Sequence, residues 1–200
     1  MSIVGSIHNG LVFPRRTRVL AGRLAQLIPA RSSVLDVGCG DGLIDRMIMD
    51  AIGVSIQGID TLVRPETQIP VLAFDGVRIP YPDQTFDIVM FVDVLHHTQE
   101  AKLLLCEAAR VGRNVLIKDH YREGFLAETT LRVMDWVGNA HHGVVLPYNY
   151  LSRSEWAEAF QHARLKIDHI DINLGLYPFP FSSIFDRSLH FLAFCTAARK

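Results

Sequence analysis

The stretch Val34-Leu35-Asp36-Val37-Gly38-Cys39-Gly40-Asp41-Gly42 decides how the chain is read. It opens as a buried apolar strand and turns over three alternating glycines. It then runs into a helix whose apolar positions, Leu43, Ile44, Met47, Ile48 and Ala51, recur at helical spacing. A strand, a glycine-rich turn and a helix start, in that order, make a place where a ligand can lie against bare backbone. Glycine is needed there because a Cβ would forbid the tight turn and hold the ligand away. The helix start adds N–H groups without helical partners and the positive end of the helix dipole.

Downstream, Val54–Asp60 reads as a second strand ending in a carboxylate. Asp60 lies 20 residues beyond Gly40, at the tip of the neighbouring strand, where an acid can accept hydrogen bonds from two ribose hydroxyls. The plainer alternative is a loop aspartate capping a turn. Ile69–Phe74 reads as a third strand, closed by Asp75-Gly76. Phe86–Val92 is a fourth, apolar throughout, as a parallel strand covered on both faces must be. It leads into Asp93-Val94-Leu95-His96-His97-Thr98. A helix over about 99–110 packs through Leu103, Leu104 and Ala108, and Val115–Lys118 is a fifth strand followed by Asp119-His120. Upstream, Pro14 opens an amphipathic helix (Val19, Leu20, Leu24, Leu27, Ile28) that Pro29 stops. Arg15, Arg16 and Arg18 read as its solvated start, and residues 1–13 as an arm or flap.

Beyond the fifth strand the alternation breaks. Residues 121–150 read as a lid insert, a helix over about 124–138 and then a loop containing His141-His142. Ser152-Arg153-Ser154-Glu155 is a capping box that starts another helix. Leu165–Ile172 and Leu189–Thr196 are two more strands, joined through Tyr177-Pro178-Phe179-Pro180-Phe181. The sum is one α/β domain over 1–200, a doubly wound, Rossmann-like sheet with 1–29 as an N-terminal arm and helix. Ligands of such sheets bind at the carboxyl ends of the strands. Those ends carry Asp36, Asp60, Asp75, Asp93 and Asp119-His120.

Composition narrows the function. Twenty Lys and Arg against 21 Asp and Glu give a net charge of −1, with no basic cluster to hold nucleic acid or an anionic membrane. Cys39, Cys106 and Cys195 are odd in number and set in apolar segments. They read as free thiols of a reducing compartment, not a disulfide framework or a metal site. No apolar run reaches ~18 residues, and the start lacks the charged-then-apolar order of a signal peptide. The expectation is a cytoplasmic protein without membrane insertion, monomer or homodimer, acting on a small molecule.

The glycine stretch, Gly58-Ile59-Asp60, Phe74-Asp75-Gly76, Phe86-Asp87-Ile88-Val89 and the closing strand pair together resemble the class I S-adenosylmethionine-dependent methyltransferases, in their small-molecule branch. The resemblance is good over about 30–118 and extends over 150–197 as topology. It implies a seven-stranded, mostly parallel sheet whose last strand inserts antiparallel. It implies that Asp36, Gly38, Cys39 and Gly40 hold the amino-acid end of S-adenosylmethionine and Asp60 with Thr61 the ribose. Asp75 and Gly76 would take the adenine side, and Val92 and Asp93 would lie beneath the methionine portion. A nicotinamide-dependent dehydrogenase shares the glycine turn and the acid, but its Gly-x-Gly-x-x-Gly pattern needs a glycine at 43, where this chain has Leu43. A third possibility is a silent protein that binds the cofactor or S-adenosylhomocysteine as a sensor or partner subunit.

Methyl transfer from a sulfonium asks the protein to exclude water, align the acceptor and, where needed, remove a proton. Histidine suits the last task. Candidates are His120, then His97 or His142, with His141 beside it; each also has a structural reading as a helix-entry or loop residue. His96 and His97 are adjacent, so their side chains are expected to diverge, and no ligand spacing completes a metal set. A divalent ion held by Asp119, His120 and a substrate catechol has no support in the sequence, and no metal is expected. Phe125, Trp136, Tyr148, Tyr150, Tyr177, Phe179 and Phe181 would wall an apolar or aromatic acceptor, or else complete the core. No Asn-Pro-Pro-Tyr motif follows strand four, which favours oxygen or carbon over nitrogen as the acceptor atom.

Overall fold

The computed structural model describes residues 12–139 and 147–198. Helix α1 (Phe13–Leu27) precedes β1 (Ser33–Val37), α2 (Leu43–Ile52), β2 (Ser55–Asp60), β3 (Val71–Ala73) and β4 (Phe86–Val92). A 3₁₀ turn at Leu95–His97 leads to α3 (Ala101–Val111) and β5 (Gly112–His120). Then follow α4 (Ala127–Asn139), α5 (Arg153–His162), β6 (Leu165–Asp171), α6 (Ser182–Phe185) and β7 (His190–Ala197). The seven strands form one sheet in the order β3-β2-β1-β4-β5-β7-β6. Strands β1 to β5 pair in parallel, whereas β7 runs antiparallel to both β5 and β6. The expected doubly wound, seven-stranded sheet with its antiparallel last strand is therefore present.

Each strand turns alternate side chains to opposite faces, and the sheet is covered on both. In β1, Val34 joins Leu20, Leu24, Ile48 and Met90 under α1 and α2, while Leu35 and Val37 join Phe91, Leu105 and Trp156 under α3 and α5. Some boundaries move. The third strand is only Val71–Ala73, since Gln68 and Gly58 already direct the flanking backbone at 68–70 into the glycine turn and β2. The fifth strand is longer than its apolar run, because β7 pairs with it from Asn114 to His120 and draws polar residues into the ladder. The capping box is present as read: Ser152 Oγ accepts from the Glu155 N–H, and the Glu155 carboxylate accepts from the Ser152 N–H.

Two contacts fix the ends of strands that later carry the site. The indole N–H of Trp156, in α5, donates to the His120 carbonyl at 2.9 Å and holds the tip of β5. Its ring is 2% exposed and packs on Phe160 and Phe191. Beneath the glycine turn, the period of β1 directs Asp36 to the α2 face, where Asp45 is also buried; the two are 3% and 1% exposed. Among the described residues Asp36 Oδ1 and both Asp45 oxygens have no donor. Burial raises both carboxyls, Asp36 well above its ordinary range, where the neighbouring Asp45 adds to the effect, and Asp45 to about 6.

Trp156→Phe keeps the ring and removes the donor to His120; it should cost about 1–3 kcal/mol in urea unfolding, against about 3–5 kcal/mol for Trp156→Ala. A carboxyl raised by folding stabilises the protein below its unfolded pKa, and that contribution is lost as pH rises through the folded value. The ligand-free protein should therefore lose melting temperature as pH rises from about 4, the ordinary carboxylate value, to about 6. Asp45→Asn supplies a permanent donor, so its melting temperature should fall less over that interval. An equal fall in both proteins would exclude the pair as the source.

Candidate active site

A cleft of about 330 Å³ opens at the carboxyl ends of β1, β2 and β4, within the range of small-ligand sites. Gly38, Asp60, Thr61, Gly76, Val94, His97, Thr98, Leu103 and Leu104 are among the residues that line it. Gly38 adopts φ +80, and a Cβ there would lie 2.7 Å from the Val94 side chain. Its absence leaves bare backbone in the cleft wall. The Gly38 N–H is bound by the Ile59 carbonyl at 2.7 Å, so the turn is tied to β2.

Asp60 completes that tie. One carboxylate oxygen accepts from the Gly40 N–H at 2.8 Å and the other from the Leu62 N–H at 2.9 Å. A carboxylate has about four lone-pair positions, so the two backbone donors orient Asp60 and leave acceptor capacity directed at the cleft. Cys39 packs its Sγ against Gly58, where a Cβ would come within 2.4 Å, and burial raises its thiol. It supports the turn and does not offer a thiolate. Asp36 lies below the turn, buried, with one oxygen unpartnered. A glycine cradle, an oriented acid with free lone pairs and an orphaned buried carboxyl fit a ligand with an amino-acid end and a ribose.

The remaining expected cofactor residues separate. Gly76 and Thr61 line the cleft. Asp75 is exposed and accepts from the Val77 and Arg78 N–H groups, both at 2.8 Å, so it shapes the loop that presents Gly76. Val92 packs against the core on the α1 side. Asp93 is bound by Arg16 and Lys118. Burial alone would raise its pKa, but these two cations hold it well below the carboxylate range. Arg16 is thus not the solvated helix residue its neighbourhood in sequence implied. The cleft's apolar side was also not anticipated. Leu103 reads as an inward residue of α3, yet it is 49% exposed at the cleft; helical period alone does not separate core from pocket wall.

The expected histidines occupy different depths. His97 lines the cleft; burial and the neighbouring His96 lower its pKa, so its ring is neutral. His120 lies behind, 5% exposed, its Nδ1 3.3 Å from Asp119, and burial with Lys118 nearby drives its pKa well down. His141 and His142 fall outside the described residues. His96 is the group whose role sequence reasoning left unassigned. Its Nδ1 lies 2.6 Å from Asp119 and its Nε2 3.3 Å from Asp135 of α4, whose other oxygen accepts from the Tyr150 hydroxyl. Burial would lower its pKa, but the two carboxylates push it up to about 10. The His96 and His97 rings do not diverge: their centroids are 4.1 Å apart. Of the expected aromatic wall, Tyr150 and Tyr177 are buried, while Phe125, Trp136 and Phe179 face solvent.

The comparisons with known proteins agree with this geometry. A methyltransferase-domain family profile matches residues 13–170. The chain is 30% identical over 112 residues to the 27-O-demethylrifamycin SV methyltransferase of Amycolatopsis mediterranei, covering 48% of this chain and 41% of that protein. It is 25% identical over 186 residues to the ajmaline N-methyltransferase of Rauvolfia serpentina, covering 73% and 64%. It thus spans 41% and 64% of these two curated relatives. Among solved structures, the Haloferax volcanii putative methyltransferase in complex with the Trm112 methyltransferase activator superposes with a TM-score of 0.71, at 18% identity over 100% of this chain and 99% of that one. An S-adenosylmethionine-dependent methyltransferase from Aquifex aeolicus gives 0.64, at 18% identity over 97% and 98%. With the strand order, the glycine turn and Asp60 on the same cleft, the chain belongs to the class I S-adenosylmethionine-dependent methyltransferase family.

Proposed function

We propose that this chain transfers a methyl group from S-adenosylmethionine to an oxygen or carbon atom of a small, apolar or aromatic molecule. The observation that carries the reading is a single cleft lined by Gly38, Asp60 and Gly76 together with the neutral ring of His97. The relatives support the acceptor class: by their names they act on a rifamycin, on ajmaline and, for the Tropheryma whipplei protein, on demethylmenaquinone. When bound, S-adenosylmethionine supplies the electrophilic methyl and its own leaving group.

The chain's own residues have the remaining tasks. Gly38 and Gly40 give close approach of backbone to the amino-acid end, beside the buried Asp36 carboxyl. Asp60, oriented by two backbone donors, accepts from the ribose hydroxyls. Val94, Leu103 and Leu104 exclude water from the apolar part of the cleft. His97 is the ionisable side chain that the acceptor meets, and it orients the nucleophilic atom toward the methyl. His120, with Asp119, Lys118 and His190 around it, supports the floor behind it. The silent-binder alternative is less favoured, because a protein that only holds the cofactor has no need of a polar, titratable group on the acceptor side of the cleft.

Calorimetric titration with S-adenosylmethionine, S-adenosylhomocysteine and NADH tests the cofactor half. The first two should bind the native protein, and Asp60→Ala should weaken them by about 10- to 100-fold, the loss of about 1.5–3 kcal/mol for hydrogen bonds to a charged group. Binding of NADH alone would transfer the reading to a dehydrogenase. With a rifamycin- or quinol-type acceptor panel, His97→Ala should lower turnover about 100-fold or more while S-adenosylhomocysteine affinity stays within about 3-fold. Equal loss of binding and turnover would demote His97 to a wall residue.

A further inference from the structure

We infer that His96, His97 and Asp135 form a binding site for one divalent first-row transition-metal ion at the inner wall of the cleft. The three side chains come from two elements, the 3₁₀ turn after β4 and the lid helix α4. Their donor atoms lie within 4.8 Å of one another; His96 Nε2 and Asp135 Oδ1 are 3.3 Å apart and His97 Nε2 and the same oxygen 3.9 Å apart. Ligands about 2.0–2.2 Å from an ion stand roughly 3–3.5 Å from each other, so the pair is already at ligand spacing and His97 has to move by less than its own ring width.

Three further features fit an ion. Asp119 holds His96 by Nδ1 at 2.6 Å, and its second oxygen is bound by the Leu95 N–H at 3.0 Å. That leaves Nε2 directed at Asp135, the carboxylate–histidine–metal arrangement. The Tyr150 hydroxyl binds the oxygen of Asp135 that does not face the histidines, so the ligating carboxylate is itself oriented. Finally, the His97 ring makes no hydrogen bond among the described residues, and its buried Nδ1 lacks a partner. A structural salt bridge needs only His96, as an imidazolium between two carboxylates; it leaves the buried Nδ1 of His97 without a partner. Two imidazoles and a carboxylate with no thiolate suit Zn²⁺, Fe²⁺, Co²⁺ or Ni²⁺ over Mg²⁺ or Ca²⁺. The competing set His96, Asp119 and His120 is less suited, because Lys118 repels a cation near His120 and the set is wholly enclosed.

Since His97 lines the cleft, the open side of the ion faces the volume assigned to the acceptor. The inference rests on the methyltransferase reading only in this last respect, and there it favours acceptors that present oxygen. Ion binding itself is independent of transfer.

Chelator-treated, desalted full-length protein titrated with ZnCl₂ in the calorimeter, and with CoCl₂ by visible absorption, tests it. About one equivalent should bind, Co²⁺ should give ligand-field bands of a nitrogen–oxygen site, and Zn²⁺ should raise the melting temperature. His97→Ala and Asp135→Asn should each bind about 100-fold more weakly. Asp60→Ala, which fails in cofactor binding, should take up Zn²⁺ as the native protein does, so the two readings fail separately. No saturable uptake by folded native protein overturns the inference whatever the variants do. Uptake that His97→Ala and Asp135→Asn leave unchanged overturns it as well, assigning the ion to surface histidines.

Discussion

Everything at the carboxyl edge of the sheet depends on how the tip of β1 is tied to the tip of β2. Register pairs Asp36 with Gly58 and Val37 with Ile59. Because residue 58 has no side chain, Cys39 can fold down over it. The Gly38 N–H then reaches the Ile59 carbonyl and the Gly40 N–H reaches Asp60. These donors belong to a turn that has left the strand ladder, and unbound they would stand as buried or half-buried polar groups at a cost of about 1–3 kcal/mol each. The acid proposed to meet the ribose thus first serves the fold. Its orientation exists before any ligand arrives, which limits the ordering that binding requires.

The second constraint is charge. Arg16, Lys118 and His96 face Asp93, Asp119 and Asp135 at the strand ends, three cations against three carboxylates. Lone charges at this depth would neutralise or unfold the region, so each is held by at least one opposite partner. His190 illustrates how the neutral members adapt. Its Nε2 donates to the Phe185 carbonyl at 3.0 Å, which leaves Nδ1 to accept from Lys118 at 3.2 Å. One tautomer satisfies both neighbours, and burial beside Lys118 keeps the ring uncharged. The network joins α1, β4, β5, α4 and β7, elements that meet only in the folded chain.

That reach explains what the sequence could and could not disclose. The glycine turn was legible because three local signals coincide over nine residues: apolar strand, alternating glycines, helical period. Asp60 was legible because the crossover fixes its distance from the turn. Arg16 was not, since its partner Asp93 lies 77 residues away and its neighbours in sequence are those of any exposed helix start. Adjacent histidines point apart on a strand, but His96 and His97 sit in a 3₁₀ turn, where the backbone curls and their rings meet. The resemblance implies that Asp75 serves the adenine side; the loop's Val77 and Arg78 N–H groups bind one of its oxygens, a local structural role that the sequence alone does not disclose.

Helix α4 is held at its centre by polar contacts. Its buried apolar contacts are few: Ala127 and Leu131 with Tyr150 and Leu189. Val133 and Trp136 remain exposed. At about 25 cal/mol per Å², so small a cluster holds a four-turn helix only weakly, and what seats it is Asp135 between His96 and Tyr150. That carboxylate would lose both partners if α4 lifted, and His96 would lose one of its two. Lifting α4 would therefore separate charge as well as uncover apolar surface. His97, which lines the cleft, lies 3.9 Å from Asp135, so the seat of the helix stands one residue behind the cleft wall.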